Sequence, residues 1–310
     1  MMAISRRRFL QAAGSTGAAA FAAAALPQFA WANPMSLPVG IQLYVVGKPL
    51  LEDAPGTLKQ LHEIGYREVE TAGFGKYSAR EFRALIDAAG LTCPSAHLQL
   101  TASDIEPLFD DAHALGAAYA TSSILRDPPA QKTPPAAPGA AATPFPSLGS
   151  EGFKRIAAHM NSIGAKAKAA GLKYAYHNHN FEFEKVGDRE YGYDILIKET
   201  DPELVFFEID CGWMVVAGAS PVEYMRKYPK RIRMLHIKDF QPVAAPTIDL
   251  RGPGRPKGTE LGKGFIDYAP IFAEGRKSGI QHCFAEQEGP YEVPLLEAAK
   301  LDYEYLHSFS

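Results

Sequence analysis

Six strand-like stretches of this chain end with acids, imidazoles, an amide or a lysine set two residues apart: Glu68 and Glu70, His97 and Gln99, His177 and His179, Glu208 and Asp210, His236 and Lys238, Glu286 and Glu288. Residues two apart share a face of an extended strand, so each stretch offers both side chains to one side. If the strands stand around a common axis, these groups converge on one small volume. Two imidazoles and two carboxylates from four strands suit a hard-to-borderline divalent ion (Mn²⁺, Zn²⁺, Co²⁺, Fe²⁺ or Mg²⁺) better than Ca²⁺, which prefers oxygen throughout. The four candidate ligands are His177, Asp210, His236 and Glu286. A hydrogen-bonded ion network without metal would explain the polarity, but not why acids and imidazoles recur together at successive strand ends.

The neighbours of this quartet have chemistry of their own. Lys238, one step beyond His236 on the same face, is placed to hold negative charge developing on an enolate or alkoxide; otherwise it is a rim lysine paired with Asp239. Glu70, His97 and His179 are acid/base candidates, because moving a proton on a sugar carbon needs a side chain with a tunable pKa. Asn178 and Glu208 are assigned to substrate binding. Trp213, after Gly212, offers a ring to a sugar face or simply fills the core.

These groups need elements to position them, and strand-like and helix-like patterns alternate from Val39 onward. Strands are expected over Val39–Tyr44, Arg67–Thr71, Leu91–His97, Ala117–Ser123, from Tyr174 into the histidines, Leu204–Asp210, Ile232–Lys238 and His282–Glu286. Helices are expected over Leu58–Ile64, Ser78–Ala89, Ser103–Leu115 with Ser103 as N-cap, Glu151–Ala170, Tyr193–Lys198, Pro221–Tyr228, Tyr268–Lys277 and Leu295–His307. Eight strand–helix units in a chain of this size predict a (β/α)₈ TIM barrel, with an open doubly wound sheet as the alternative, and put the site where strands give way to loops. Two Pro- and Gly-rich stretches, about 127–150 and 241–264, are expected as long loops, the first a lid or a disordered insertion.

The N-terminus is expected to be removed. Ser5-Arg6-Arg7-Arg8-Phe9-Leu10, an Ala-rich apolar run and Ala30-Trp31-Ala32 follow the order of an export signal with a small-x-small cleavage site, and the paired arginines resemble a twin-arginine signal. The run is shorter and more interrupted than a bilayer span of roughly 20 residues, so no membrane span is expected in the mature protein. Cleavage near Ala32 would leave 278 of 310 residues as one barrel domain, 33–310, in the periplasm, delivered by the twin-arginine machinery. The signal carries three arginines and no acid, so the formal charge of −3 becomes −6, which argues against a nucleic-acid partner. Cys93, Cys211 and Cys283 are odd in number and lie in apolar runs, so buried free thiols are expected. Gly262-Lys263-Gly264 lacks the Ser or Thr of a phosphate-binding Walker loop, and neither a dinucleotide Gly-x-Gly-x-x-Gly after the first strand nor a Gly-x-Ser-x-Gly nucleophile elbow is present.

The chain resembles the xylose-isomerase-like barrels, the sugar phosphate isomerase/epimerase family. The resemblance lies in Tyr176-His177-Asn178-His179 with Phe181-Glu182-Phe183, Glu208-Ile209-Asp210-Cys211-Gly212-Trp213, Leu235-His236-Ile237-Lys238-Asp239, Glu260-Leu261-Gly262-Lys263-Gly264 with Asp267, and Ala285-Glu286-Gln287-Glu288. It implies a divalent metal at the barrel mouth held by His177, Asp210, His236 and Glu286. It also implies that Glu286 shares in proton transfer. His177 departs from the pattern, since many family enzymes carry a glutamate there and exchange a proton between two metal-bound glutamates.

Together these readings predict a metal-dependent isomerase or epimerase that abstracts a proton beside the carbonyl of a non-phosphorylated sugar or keto-sugar. The alternative is a lyase or dehydratase on a 3-keto-glycoside or an inosose-like ketone, which begins with the same proton abstraction and expels a leaving group. A sugar-binding protein without turnover is the reading from another class. Assembly into a homo-oligomer is compatible with all three.

Overall fold

The computed structural model describes residues 35–100, 104–123, 125, 147–188 and 190–309. Its barrel strands are β1 (Gly40–Gln42), β2 (Glu68–Thr71), β3 (Thr92–His97), β4 (Tyr119–Ser123), β5 (Lys173–His177), β6 (Val205–Asp210), β7 (Ile232–Ile237) and β10 (His282–Ala285). All pair in parallel with their neighbours in the order β1-β10-β7-β6-β5-β4-β3-β2, and β2 returns to β1, so the sheet closes. This is the expected TIM barrel. A short antiparallel pair, β8 (Asp239–Phe240) with β9 (Gly258–Thr259), stands outside it.

The helices are α1 (Gly47–Glu52), α2 (Ala54–Ile64), α3 (Ala79–Ala88), α4 (Glu106–Leu115), α5 (Gly149–Ala169), α6 (Gly192–Glu199), α7 (Cys211–Val216), α8 (Pro221–Lys227), α9 (Ala269–Ser278) and α10 (Leu295–His307). Local chemistry sets several starts. Ser78 and Glu81 form a reciprocal capping box on α3, and Asp53 receives the Gly56 N–H at the head of α2. Glu184 reaches across to receive the backbone N–H groups of Leu148 and Gly149 at the head of α5. Ser103 and most of 127–150 lie outside the described residues, and α5 already begins at Gly149.

Two features depart from the expected elements. Strand β1 ends at Gln42, because the Gln42 side chain accepts the Tyr44 N–H and turns Leu43–Val46 into a 3₁₀ helix. The stretch expected to be one loop, 241–264, is pinned at its base by β8 and β9 and by the Gln241 N–H to the Lys257 carbonyl. Asp239 anchors its far end by accepting the N–H groups of Gly262, Gly264 and Ile266.

Apolar side chains fall into two bodies. A large one joins strands to helices; a small one of Tyr119, Ala175, Met234 and Phe284, with Phe206 against it, is separate. Every barrel strand alternates between these directions, so one set of residues fills the inside. Gly40 gives Phe284 its space, since a Cβ there would come within 2.4 Å of the ring. Cys93, Cys211 and Cys283 are free and buried, as their odd number predicts. No helix among the described residues is long and apolar enough to cross a membrane.

Candidate metal centre and active-site cavity

The C-terminal ends of the barrel strands carry two tiers of charge. In the inner tier three imidazoles converge on one carboxylate oxygen: Glu208 Oε2 lies 3.0 Å from His97 Nε2, 3.0 Å from His177 Nδ1 and 3.2 Å from His236 Nε2. Glu70 Oε2 stands beside it, 2.6 Å from His236 Nε2 and 3.2 Å from His97 Nε2. Gln42 donates to Glu70 through Nε2 at 2.9 Å, and the Ser95 hydroxyl donates to its other oxygen. Two buried carboxylates side by side repel each other; the imidazoles between them make the pair tenable.

In the outer tier Lys238 is the hub. Its Nζ lies 3.0 Å from Asp210 Oδ2, 3.0 Å from Glu286 Oε1 and 3.2 Å from Glu288 Oε1, with the Trp213 ring centroid at 5.0 Å. Arg255 pairs with Glu288 from the loop side. His236 Nδ1 is 2.7 Å from Glu286 Oε2, and His177 Nε2 is 3.8 Å from Asp210 Oδ2. Asp210 is also the N-cap of α7, where one oxygen accepts the Trp213 N–H at 2.8 Å.

This environment separates the proton affinities. Burial alone would depress His97, yet Glu70 and Glu208 outweigh it and raise its pKa to about 10. His236 is likewise lifted well above its usual range against burial, by Glu208 and Glu70. Burial, helped by His177, depresses His179 well below the usual imidazole range, and burial with the charge on His236 lowers His177. Burial opposes ionisation of Glu286, but Lys238 and His236 hold its pKa well below the usual carboxylate range.

The four ligands expected from the sequence come together. One donor atom from each of His177, Asp210, His236 and Glu286 lies within 4.8 Å of the others, and all four are buried. A second grouping, His97, His177, Glu208 and His236, shares two of them. Glu208 Oε1 is buried without a hydrogen-bond partner, while Asp210 Oδ2 meets the Lys238 ammonium at 3.0 Å and His177 Nε2 at 3.8 Å. A buried carboxylate oxygen with no partner is costly. Two imidazole nitrogens and two carboxylate oxygens gathered within 4.8 Å of one another make the mixed N and O donor set that a borderline divalent cation takes, so the set fits a metal.

A cavity of about 530 Å³ opens above the tiers. From the expected site residues it is lined by His97, Gln99, His177, His179, His236, Glu286 and Glu288. Glu70, Asn178, Glu208, Lys238 and Trp213 are not brought to its surface. Asn178 instead clamps β6, its Oδ1 accepting the Asp210 N–H and its Nδ2 donating to the Asp210 carbonyl. Trp213 is fully buried against Phe240 and is core. Glu208 is enclosed by the three imidazoles and does not reach a ligand in the cavity.

Gln42, Tyr44, Arg251 and Arg255, none of them among the residues expected from the sequence, also line the cavity. Gln42 was legible, being a polar residue inside an apolar strand on the face shared with Gly40. The arginines sit in the 241–264 loop, where no periodicity indicates direction.

Residues 58–308 match the family described as Xylose isomerase-like TIM barrel. The chain belongs to that family. Among curated relatives, an inosose dehydratase of Clostridium botulinum is 32% identical over 159 residues, 48% of this chain and 52% of that protein. The chain thus spans about half the length of the curated relatives it matches. Among solved members of the barrel class, a sugar phosphate isomerase/epimerase from Parabacteroides distasonis superposes with a TM-score of 0.67 at 26% identity, covering 87% of this chain and 94% of that one. The IOLI protein, solved with a zinc atom, superposes with a TM-score of 0.65 at 12% identity, covering 88% and 98%, and shares the fold.

Proposed function

We propose that this xylose isomerase-like barrel is a divalent-metal-dependent lyase of the dehydratase type, acting on a non-phosphorylated cyclic keto-sugar such as an inosose or a 3-keto-glycoside. The observation that carries the reading is the one-sidedness of the cavity. Among the described residues its two lining carboxylates, Glu286 and Glu288, both follow β10, while His97, His177 and His179 come from the strands across the barrel. A two-glutamate proton exchange needs a carboxylate on each face of the substrate. An elimination needs a base on one side and a proton for the departing oxygen, and groups whose environments push their proton affinities apart suit that division. The resemblance to inosose dehydratases over half the chain supports the same choice.

His177, Asp210, His236 and Glu286 would hold the ion, which would supply Lewis-acid polarisation of the substrate carbonyl. Glu286, kept ionised by Lys238 and His236, takes the proton from the carbon beside the ketone. Lys238, which does not reach the cavity, acts on this step by holding Glu286 ionised. The carbon–oxygen bond one carbon further breaks with its electron pair going to oxygen, and His97 returns a proton so that water or an alcohol departs. His179, kept neutral on the same wall, accepts a hydrogen bond from a substrate hydroxyl.

Mixing the metal-loaded protein with an inosose, and separately with a 3-keto-glucoside, in deuterated water tests this. An unsaturated ketone or a released aglycone supports the lyase; an isomerised sugar carrying deuterium, with nothing eliminated, overturns it. That second outcome is the isomerase/epimerase reading, favoured by the likeness to the Parabacteroides protein over nearly its whole length. The proposal includes twin-arginine export of residues 33–310 to the periplasm, which motivates the unphosphorylated substrate. Residues 1–34 lie outside the described residues, and fractionation of a tagged full chain tests export.

A further inference from the structure

Both imidazoles of the metal quartet face two ways. His177 turns Nε2 toward Asp210 Oδ2 at 3.8 Å and Nδ1 toward Glu208 Oε2 at 3.0 Å. His236 turns Nδ1 toward Glu286 Oε2 at 2.7 Å, and Nε2 toward Glu70 Oε2 at 2.6 Å and Glu208 Oε2 at 3.2 Å. Each ring thus meets the quartet with one nitrogen and the fully buried Glu208–Glu70 pair with the other.

Resting on the metal reading above, we infer that Glu208, backed by Glu70, is the positioning residue of the centre: one carboxylate oxygen that orients both histidine ligands. A neutral imidazole has one N–H and one lone pair, and an ionised carboxylate only accepts. With an ion bound and both rings neutral, the nitrogen facing Glu208 would therefore carry the hydrogen, and the opposite nitrogen, on the side of Asp210 or Glu286, would offer its lone pair to the ion. Carboxylates behind metal-bound histidines fix ring orientation and raise ligand basicity in this way. Here a single side chain serves two ligands, on β5 and β7, from the strand between them. That arrangement also explains why Glu208 is enclosed although a carboxylate there touches neither cavity nor solvent.

The competing use of the same atoms is a second ion among His97, His177, Glu208 and His236. It would require lone pairs from both nitrogens of His177 and of His236 at once, which neutral imidazole does not have. Glu68 provides an internal comparison: it holds His282 through Nδ1 at 2.9 Å, the same kind of pair, but His282 contributes nothing to the quartet.

The experiment is cobalt(II) titration of chelator-stripped protein, followed by metal analysis and the visible absorption of the bound ion. The parent is expected to bind one ion per chain. Glu208→Gln should weaken binding about 10–100-fold and shift the cobalt spectrum, whereas Glu68→Gln should leave affinity and spectrum unchanged. Glu70→Gln, acting through His236 alone, is the second variant should Glu208→Gln fail to fold, and should show the same loss. A Glu208→Gln or Glu70→Gln protein with parental affinity and spectrum overturns the inference while leaving the metal reading intact. Two ions per chain overturn it in favour of the second site, and a parent that takes up no cobalt overturns both.

Discussion

Asp210 caps the helix that carries Trp213: one carboxylate oxygen accepts the Trp213 N–H at 2.8 Å, which leaves Oδ2 aimed at Lys238 and His177. A capping bond at the head of α7 and a candidate ligand in the centre are thus the same side chain, and the two roles separate by substitution. Asp210→Asn keeps the cap acceptor and removes the charge, so the fold should hold while divalent binding falls at least tenfold. Asp210→Ala should in addition cost about 1 kcal/mol through the lost cap. Metal analysis beside thermal denaturation distinguishes them; equal melting of the two variants would refute the cap.

Lys238 neutralises three carboxylates without touching solvent. Breaking a buried charge cluster by removing one partner costs about 3–5 kcal/mol. Lys238→Met should destabilise chelator-treated protein by that amount and metal-loaded protein by less, because a bound cation partly replaces the ammonium. Melting with and without added Co²⁺ checks this, and an identical loss in both conditions contradicts it.

Asp302 titrates away from the site. Burial, then the charges on Glu260 and Asp239, push its pKa up to about 8 from the ordinary 3.8, while the Leu261 N–H donates to its carboxylate. The folded pKa lies above the unfolded one, so the neutral acid favours the fold. That stability is complete below about pH 4, declines as pH rises, and is gone above about pH 8. Asp302→Asn keeps an acceptor for Leu261 and should flatten this decline, read as the urea midpoint between pH 5 and 8.5. A decline as steep as the parent's would rule it out.

Gly40 faces the Phe284 ring and the Cys283 carbonyl, both closer than 3 Å to where a Cβ would stand. Since the carbonyl belongs to the paired strand β10, it cannot swing aside. Gly40→Ala should cost about 1–3 kcal/mol by overpacking, and Phe284→Leu in the same chain should recover part of it. Denaturant midpoints of the single and double variants measure the coupling.

The barrel was legible because its signals are local. Apolar runs that end in paired polar residues give both the period-two strand pattern and the chain direction of the functional end, and all eight expected strands fall within two residues of the observed starts once Tyr174 and Val39 are compared with Lys173 and Gly40. Asp210, His236 and Glu286 could be picked out because each occupies the inward face at a strand end. Short helix α7 was missed because Asp210 reads as the last strand residue, and its capping of Trp213 depends on a turn that no periodicity marks.

The sequence by itself determined which residues face the barrel axis, since side-chain alternation along a strand is a covalent property of the extended backbone. Only the tertiary structure decided their depth along that axis. Register shifts between Glu68 and Glu70 and between Phe207 and Glu208 help set the level at which each strand crosses its neighbours. Depth separates Glu208, enclosed by three imidazoles, from Asp210, two residues on in the same strand and level with Lys238. Contacts of that kind come from strands far apart in the chain, so their geometry depends on closing the sheet and cannot be read from any one segment.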